Sequence, residues 1–293
     1  KRNIKVALVN GRISLRSFVK YRRTSFFWRP VLRNVDEAGM ITHVDAGRIR
    51  QIGMIGARIH ALGNAKYDAL AAKVSPELQE DITRRFNVKP GEKFFVAGST
   101  HPGEEDIVIS VYKHLLLSDP DFKLILVPRD IKRTEEILAL LRQADFYDAI
   151  TVSRMQSGQK RQGEKVILVD VIGELFKVYS LATIVYCGGS LVPKGGQNIL
   201  EAAAWGKVIF YGPSMEDFQQ EAELLENAGA GIHVANEQEL LKGILQLLAD
   251  PEDLRVRGER GQSVVRANMG AAQRYAGMII RCMDQRLKAD PLA

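Results

Sequence analysis

Residues 187–201 have the sequence Cys-Gly-Gly-Ser-Leu-Val-Pro-Lys-Gly-Gly-Gln-Asn-Ile-Leu-Glu. The stretch follows an apolar run at 183–187, contains two glycine pairs and continues into a helical pattern that starts at Asn198. Backbone N–H groups at such a strand-to-helix junction lack helical acceptors, and the positive end of the helix dipole lies there. Anions, phosphate above all, are stabilised at that position. The stretch therefore predicts a phosphate-binding site at the end of a buried strand.

Apolar runs of strand length alternate with helical patterns through most of the chain. The predicted strands lie at 94–98, 124–127, 149–152, 166–169, 183–187, 208–211 and 231–234. The predicted helices lie at 76–86, 104–117, 134–144, 174–180, 198–205, 218–228, 237–249 and 251–268. This alternation predicts an α/β fold with a parallel sheet and helices on both faces. Ligands bind at the carboxyl ends of the strands in such sheets, so the loops after the strands are the candidate sites.

The pattern predicts two α/β domains. Residues 1–67 are expected to be the C-terminal part of the first, with strands at 5–9, 39–42 and 58–62 and a helix at 45–52. Residues 68–270 are expected to be the ligand-binding domain, and a helix in 271–293 is expected to pack back on the first domain. Lys1 is not a methionine and a strand begins by residue 5, so we expect a fragment whose earlier strands are missing.

The composition is that of a soluble globular protein. The chain has 293 residues, 46% hydrophobic and 26% charged, which is enough for two cores. Cys187 and Cys282 are too few for a disulfide framework or a zinc site, and they favour a reducing compartment. There is neither a secretory signal nor an apolar run long enough to cross a bilayer. The five histidines lack metal-ligand spacing, so neither a metal nor a cofactor is expected.

The net charge of +6 is concentrated in one segment. Residues 11–34 contain no acidic residue and seven basic ones, namely Arg12, Arg16, Lys20, Arg22, Arg23, Arg29 and Arg33. Phe26, Phe27 and Trp28 lie among them. Cations beside large aromatics are typical of a surface for anionic lipid, and a solvated basic helix with core aromatics is the alternative. No nucleic-acid module accompanies the segment, so nucleic acid is not the expected partner.

Two of the loops that follow predicted strands carry candidate ligand groups. Ser99, Thr100 and His101 follow the strand at 94–98 and are candidate donor contacts. The alternative for this loop is structural, with Ser99 or Thr100 as the N-cap of the next helix. Pro128 and Arg129 end the strand at 124–127, where a guanidinium can fork onto phosphate unless Asp130 or Glu135 pairs with it.

Two further loops complete the set. In the loop at Ile172, Gly173 and Glu174, the glycine lets a ligand approach the backbone closely, and the carboxylate can accept hydrogen bonds from hydroxyl groups or a base amino group. The alternative is that Glu174 is only a carboxylate at a helix start, where the dipole favours it. Asn198 and Glu201 have the spacing of a capping box, which needs no ligand; alternatively, the N–H groups bind phosphate and Glu201 binds ribose.

In these motifs the chain resembles the Kdo (3-deoxy-D-manno-octulosonic acid) transferases of lipopolysaccharide synthesis. The matching motifs occur in order through most of the chain: 8–14 with Arg16 and Ser17, 63–67 (Gly-Asn-Ala-Lys-Tyr), 97–105 (Ala-Gly-Ser-Thr-His-Pro-Gly-Glu-Glu), 126–129, 173–175 and 188–201.

The resemblance implies a two-domain GT-B fold that moves Kdo from CMP-Kdo to a lipid A precursor at the cytoplasmic face of the inner membrane. It implies that CMP is bound by Pro128, Arg129, Ile172, Gly173, Glu174, Asn198, Ile199, Leu200 and Glu201, with Gly195 and Gly196 as further donor contacts. Lys66 would stabilise the transition state, and Arg12, Arg16, Arg22 and Arg23 would meet the acceptor and the membrane. No cofactor is implied.

The chain departs from the family pattern at three places. Gln197 and Asp130 stand where histidine is common in the family. The family's catalytic glutamate lies in a region that precedes residue 1, so the chain alone is expected to hold the donor site without the general base and to be inactive. The alternatives are another GT-B transferase with a UDP-sugar donor and a non-catalytic module that binds nucleotide or anionic lipid.

Overall fold

The structure, a computed structural model, describes the backbone of residues 4–289 and the side chains of residues 4–284. The chain divides into two compact units. The smaller unit comprises Lys1–Ala72 and Arg266–Ala293, and the larger unit comprises Lys73–Val265.

The described part of the smaller unit is built on a three-stranded parallel sheet of order β1-β2-β3. Its strands are β1 (Ala7–Gly11), β2 (Glu37–Met40) and β3 (Ile59–Ala61). Its helices are α1 (Leu15–Arg23), α2 (Ser25–Leu32), α3 (His43–Ile52), α4 (Lys66–Lys73) and α14 (Ala271–Ala289). In α14, the Tyr275 hydroxyl donates a 2.7 Å hydrogen bond to the Gly63 carbonyl, which fixes that helix to the end of the sheet.

Within the described residues, the larger unit contains a seven-stranded sheet of order β10-β9-β8-β4-β5-β7-β6, parallel throughout. Its strands are β4 (Phe94–Thr100), β5 (Lys123–Pro128), β6 (Ile150–Thr151), β7 (Val166–Leu168), β8 (Ile184–Cys187), β9 (Ile209–Tyr211) and β10 (Gly231–His233). Every residue of β4 is buried, as expected for a central strand covered by helices on both faces.

The helices of the larger unit follow the strands in sequence. They are α5 (Pro76–Arg85), α6 (Glu104–Ser118), α7 (Thr134–Gln143), α8 (Val152–Gln156), α9 (Leu175–Val178), α10 (Leu200–Ala204), α11 (Gln219–Asn227), α12 (Glu237–Leu248) and α13 (Pro251–Ala267). The core is apolar and continuous between the sheet and α6, α7 and α12.

The prediction of a parallel α/β sheet is confirmed, and the errors concern short elements. The predicted strand at 149–152 is shorter, since Val152 already belongs to α8, which the sequence did not predict. Thr151 caps this helix by accepting a hydrogen bond from the Arg154 amide. The predicted helix at 174–180 is a single α-helical turn, α9, followed by a 3₁₀ turn at Tyr179–Leu181.

The strand order places a switch point between β4 and β8. The chain proceeds from β4 to β5 on one side and later returns to β8 on the other side. Loops that leave two such strands diverge to opposite faces, which opens a crevice at their carboxyl ends. The loops after β4 and β8 therefore line the place where a ligand binds in this class of sheet.

Gly188, at the end of β8, permits the two loops to approach each other. A Cβ atom at this position would lie 2.5 Å from the Ser99 carbonyl oxygen and 2.6 Å from the Thr100 Cα. Both neighbours are backbone atoms in the centre of the sheet, so neither can move aside cheaply. Only glycine fits here.

We expect Gly188→Ala to lower the free energy of unfolding by about 2 kcal/mol, because the added methyl group overpacks the sheet. Urea unfolding followed by far-UV circular dichroism measures the change. The matched control is Gly47→Ala in α3, where nothing lies within 4 Å of the added Cβ and helix propensity should stabilise the protein slightly. Equal midpoints for the Gly188→Ala variant and the wild type would contradict this packing argument.

Candidate functional site

The loops that follow β4, β5 and β8 meet at one edge of the larger unit. Gly188 donates its amide to the Gly98 carbonyl at 2.8 Å, which continues the β4–β8 pairing. The Arg129 amide donates to the Thr100 carbonyl at 2.9 Å and joins the end of β5 to the end of β4. The structure thus brings the predicted residues Thr100, His101 and Arg129 to the glycine-rich loop at 188–198.

The Glu104 carboxylate holds this arrangement together. The side chain is fully buried at the first residue of α6. One oxygen accepts hydrogen bonds from the Tyr186 hydroxyl (2.6 Å) and from the amides of Ser190 and Leu191 (3.0 Å each). The other accepts from the amides of Gly189 (2.7 Å) and His101 (2.9 Å). Five donors thus bind one carboxylate, and four of them are backbone amides from the two loops.

This contact limits the expected set of free amides at the strand-to-helix junction. The amides of residues 189–191 are already bound to Glu104. Those of the second glycine pair are also used, since Gly195 donates to Ser214 Oγ and Gly196 donates to the Gly189 carbonyl, both at 2.8 Å. Within the described residues, the amides of Asn198 and Ile199 have no acceptor.

The capping box predicted at Asn198 and Glu201 is wrong in its geometry. The helix α10 begins at Leu200, with Ile199 in the N-cap position. The Asn198 carboxamide instead accepts from the Leu200 amide at 3.3 Å and donates to the Glu201 carboxylate at 3.1 Å. Because α10 has only five residues, its dipole is small, and the two unbound amides are the groups of this turn that remain free to bind a ligand.

The predicted N-cap role of Ser99 or Thr100 is also wrong. The strand β4 continues to Thr100, and the N-cap of α6 is Gly103 in a left-handed conformation with φ of 92°. Ser99 also has a left-handed backbone, with φ of 56°, where the pairing of β4 with β5 shifts register. Conformations that side-chain-bearing residues adopt rarely are often found at functional sites.

Two buried polar atoms at the end of β4 lack hydrogen-bond partners within the described residues, namely Thr100 Oγ1 and His101 Nε2. The pKa of His101 is lowered, mainly by burial and further by the positive charges of Lys194 and Arg129, against the opposing effect of Glu104 and Glu105. The imidazole is therefore neutral near pH 7. Buried polar atoms without partners are rare, and they suit an absent ligand or water.

The Arg129 side chain is exposed, and its guanidinium makes no ion pair with the described carboxylates, Asp130 and Glu135 among them. The alternative from the sequence, in which a neighbouring carboxylate pairs with Arg129, is therefore wrong. Pro128, the last residue of β5, is buried. The Glu105 carboxylate next to Glu104 is instead paired with Arg133 at 2.8 Å, so it does not compete for the glycine-rich loop.

The third predicted loop has an exposed backbone and an occupied carboxylate. Ile172 is 86% exposed, and Gly173 has φ of 89°. The buried Glu174 carboxylate accepts hydrogen bonds from the two terminal nitrogens of the Arg85 guanidinium, each at 3.1 Å, and also pairs with Lys177. This leaves the backbone of residues 172 and 173 as the accessible part of the loop.

Glu201 lies near the buried side chains of Tyr179 and Cys187. Its pKa is raised, chiefly because burial disfavours the charged form, while the Asn198 hydrogen bond and the charge of Lys73 oppose that shift. The negative charge of Glu201 helps to raise the pKa of the Tyr179 hydroxyl and the Cys187 thiol, for both of which burial is the main cause. Partial burial of a carboxylate with few hydrogen bonds or positive charges around it lowers the stability of the folded protein. Such an unfavourable arrangement is typical of a side chain retained for binding.

The predicted residues of the smaller unit lie apart in sequence from these loops. Lys66 is the exposed first residue of α4, and its amide donates to Asn64 Oδ1 at 3.0 Å. Arg12, Arg16, Arg22 and Arg23 are exposed in and before α1. No helix within the described residues is long and apolar enough to span a bilayer. The same residues include no group of three or more side chains suited to hold a metal.

The most important residue that the sequence analysis missed is Glu104. Apart from the His101 amide, its partners lie 82 to 87 positions away in the chain, so no local pattern predicts the contact with the glycine-rich loop. The acidic first turn of α6 was visible, but it is equally expected of a helix start.

Comparisons with known proteins agree with the motif resemblance. A family model described as 3-deoxy-D-manno-octulosonic-acid transferase (kdotransferase) matches residues 1–69. A bifunctional glycosyltransferase/methyltransferase of Fusobacterium nucleatum is 31% identical over 83% of this chain and 37% of its own length. A 3-deoxy-D-manno-octulosonic acid transferase of Haemophilus influenzae is 28% identical over 95% of this chain and 64% of its own length. The chain thus spans less than two thirds of these relatives.

Among solved structures, the C-terminal CMP-Kdo binding domain of WaaA from Acinetobacter baumannii aligns with a TM-score of 0.59 at 24% identity. The alignment covers 68% of this chain and 98% of that domain. The predicted GT-B type fold and the resemblance to Kdo transferases are both confirmed by these matches.

Glu201→Gln should stabilise the protein at pH 8. A carboxyl whose folded-state pKa is raised contributes stability that is fully present below the unfolded pKa and is lost as the pH rises through the folded pKa. The neutral amide avoids that loss and keeps the contact with Asn198.

The measurement is the melting temperature between pH 4 and 8, with Glu80→Gln on the exposed face of α5 as the control. The gain of the Glu201→Gln variant should shrink as the pH falls toward the ordinary value of 4.5 for glutamate. A gain that is constant over this range, or the same gain in the control, would argue against a buried charge at Glu201.

Proposed function

We propose that this chain contributes the donor site of a glycosyltransferase of lipopolysaccharide synthesis, which moves Kdo from CMP-Kdo to a lipid A precursor. The similarity to Kdo transferases over most of the chain supports the reaction class. The similarity of 68% of the chain to a CMP-Kdo binding domain supports the donor.

The observation that carries the proposal is the set of unsatisfied polar groups at the switch point of the sheet. Thr100 Oγ1 lies on the last residue of β4, and His101 Nε2 and the amides of Asn198 and Ile199 lie in the loops after β4 and β8. Arg129 and Lys194 add positive charge close enough to lower the pKa of His101. The phosphodiester that links cytidine to Kdo in the proposed donor offers the acceptors and the charge that this set lacks.

In the proposed reaction, the acceptor hydroxyl attacks the anomeric carbon of Kdo, and the bond from that carbon to the phosphate oxygen of CMP breaks. The acceptor proton passes to a general base, and CMP leaves with the electron pair of the broken bond. The residues of this chain would act on the leaving group. Arg129 and the amides of Asn198 and Ile199 would stabilise the phosphate, and Lys66 would stabilise developing charge.

Nucleoside binding is proposed for the remaining predicted residues. Glu201 would accept hydrogen bonds from the ribose hydroxyls, and burial of that carboxylate strengthens such bonds. The exposed backbone of residues 172 and 173 would approach the base, with the Glu174–Arg85 pair fixing the loop that carries it.

Arg129→Ala should weaken CMP binding by about tenfold, because a charge-assisted hydrogen bond to phosphate is removed without disturbing an existing ion pair. Titration calorimetry of CMP and of UMP against the wild type and the variant gives the affinities. The control is Lys132→Ala, which removes an exposed positive charge near the same loop. Unchanged CMP affinity in Arg129→Ala, or equal loss in both variants, would count against the assignment.

We also propose that α1 and α2 of the smaller unit contact an anionic membrane surface, the inner membrane in the full reaction. Phe26 is 77% exposed and Phe27 is 58% exposed, next to the basic residues of α1. Trp28 packs edge-on against Phe27 and Tyr21, with ring centroids 5.1 Å apart in each pair. Exposed aromatics backed by a rigid aromatic cluster and flanked by cations suit the headgroup region of a bilayer.

The double variant Arg22→Gln/Arg23→Gln should bind vesicles of phosphatidylglycerol and phosphatidylcholine about thirtyfold more weakly than the wild type, at about 1 kcal/mol per basic residue. Vesicle co-sedimentation measures the binding. The control is Arg154→Gln/Lys160→Gln, two exposed basic residues of the larger unit. Equal binding of the wild type to vesicles of phosphatidylcholine alone would refute an electrostatic contact.

A further inference from the structure

We propose that Glu104 makes the donor site selective for nucleoside monophosphates over nucleoside diphosphates. Glu104 is then a specificity-determining residue, which acts by occupying with its own carboxylate the amides that a second phosphate would need. The inference rests on the proposed function, because it concerns the same site, and it adds the physical reason why a monophosphate-linked donor fits there.

The glycine-rich loop has a fixed supply of amide donors, and Glu104 uses three of them, those of residues 189–191. Its two oxygens accept from the amides of His101, Gly189, Ser190 and Leu191 and from the Tyr186 hydroxyl. An ionised carboxylate only accepts hydrogen bonds, as all five of these contacts require. A protonated carboxyl would place its own O–H donor against an amide or hydroxyl donor. The arrangement therefore fits the ionised form, and it places a negative charge inside an anion-binding turn.

The loop segment that binds this charge is tied to the turn with the amides that remain available. A Cβ atom on Gly189 would be 3.4 Å from Gln197 Cγ, so the segment held by Glu104 packs against the residue that precedes Asn198. The Gly196 amide donates to the Gly189 carbonyl at 2.8 Å and ties the two glycine pairs of the loop together. The loop cannot therefore release its bound amides independently of the turn at residues 196–199.

The other charged groups around the site do not cancel Glu104. The Glu105 carboxylate is engaged by Arg133, which leaves it no part in the loop. Lys194 and Arg129 are positive and act on His101. One phosphate placed at Asn198 and Ile199 has these two cations for compensation. A second phosphate on residues 189–191 would find their amides already bound to Glu104, with the negative charge of that carboxylate behind them.

The test is the affinity of the full chain for CMP, CDP, UMP and UDP, measured by titration calorimetry in EDTA so that no divalent cation screens the second phosphate. The wild type is expected to bind CMP about tenfold more tightly than CDP, and UMP more tightly than UDP, although the diphosphates carry more charge. Simple electrostatic attraction to a basic site predicts the reverse order.

Glu104→Gln should bring the ratio of monophosphate to diphosphate affinity to about one, because the neutral amide removes the repulsion. The matched control is Glu105→Gln, which removes a buried carboxylate one residue away that does not contact the glycine-rich loop. The control should keep the wild-type ratio. Thermal melting of each variant establishes that it is folded.

Each outcome decides between the proposals. A wild type that binds CDP as tightly as CMP overturns the role of Glu104, and so does a folded Glu104→Gln variant with an unchanged ratio. If Glu104→Gln does not fold, the wild-type ratios alone decide. Tighter binding of uridine than of cytidine nucleotides overturns the proposed donor while the phosphate ratio still tests Glu104. Failure of all four nucleotides to bind overturns both.

Discussion

The larger unit depends on one buried carboxylate. Glu104 joins the loop after β4 to the loop after β8 through four amide hydrogen bonds, and Tyr186 supplies a fifth donor. An unpaired charge at this depth would be strongly destabilising, and it is tolerated because every lone pair of the carboxylate has a partner. The same bonds fix the shape of the glycine-rich loop, so the geometry of the candidate site follows from that of a structural contact.

Fewer amides of the candidate site are therefore free than a loop with two glycine pairs suggests. Within the described residues, the amides of Asn198 and Ile199 lack an acceptor, and the positive charges of Arg129 and Lys194 act on the neighbouring His101. The helix behind them has five residues and adds little field. If the proposed anion site is correct, positive side chains and desolvated polar atoms would contribute more to it than a helix dipole would.

The sequence predicted those parts of the fold that local hydrophobicity determines. Buried parallel strands are continuous apolar runs, so β4, β5, β8 and β9 could be located without homologues. The start of α10 and the cap of α6 were misplaced because side-chain hydrogen bonds at Asn198 and the left-handed Gly103 set them.

Long-range contacts were beyond any sequence pattern. The pairing of Glu104 with the glycine-rich loop, and of Glu174 with Arg85, joins residues more than 80 positions apart. Of the candidate site residues, Thr100, His101 and Arg129 could be chosen because they follow predicted strands of a parallel sheet.

The crystal structure of this chain with CMP tests the account most directly. The phosphate should accept hydrogen bonds from the amides of Asn198 and Ile199, while Glu104 keeps its bonds to residues 189–191. A phosphate seated on the amides of residues 189–191, with Glu104 displaced, would contradict it.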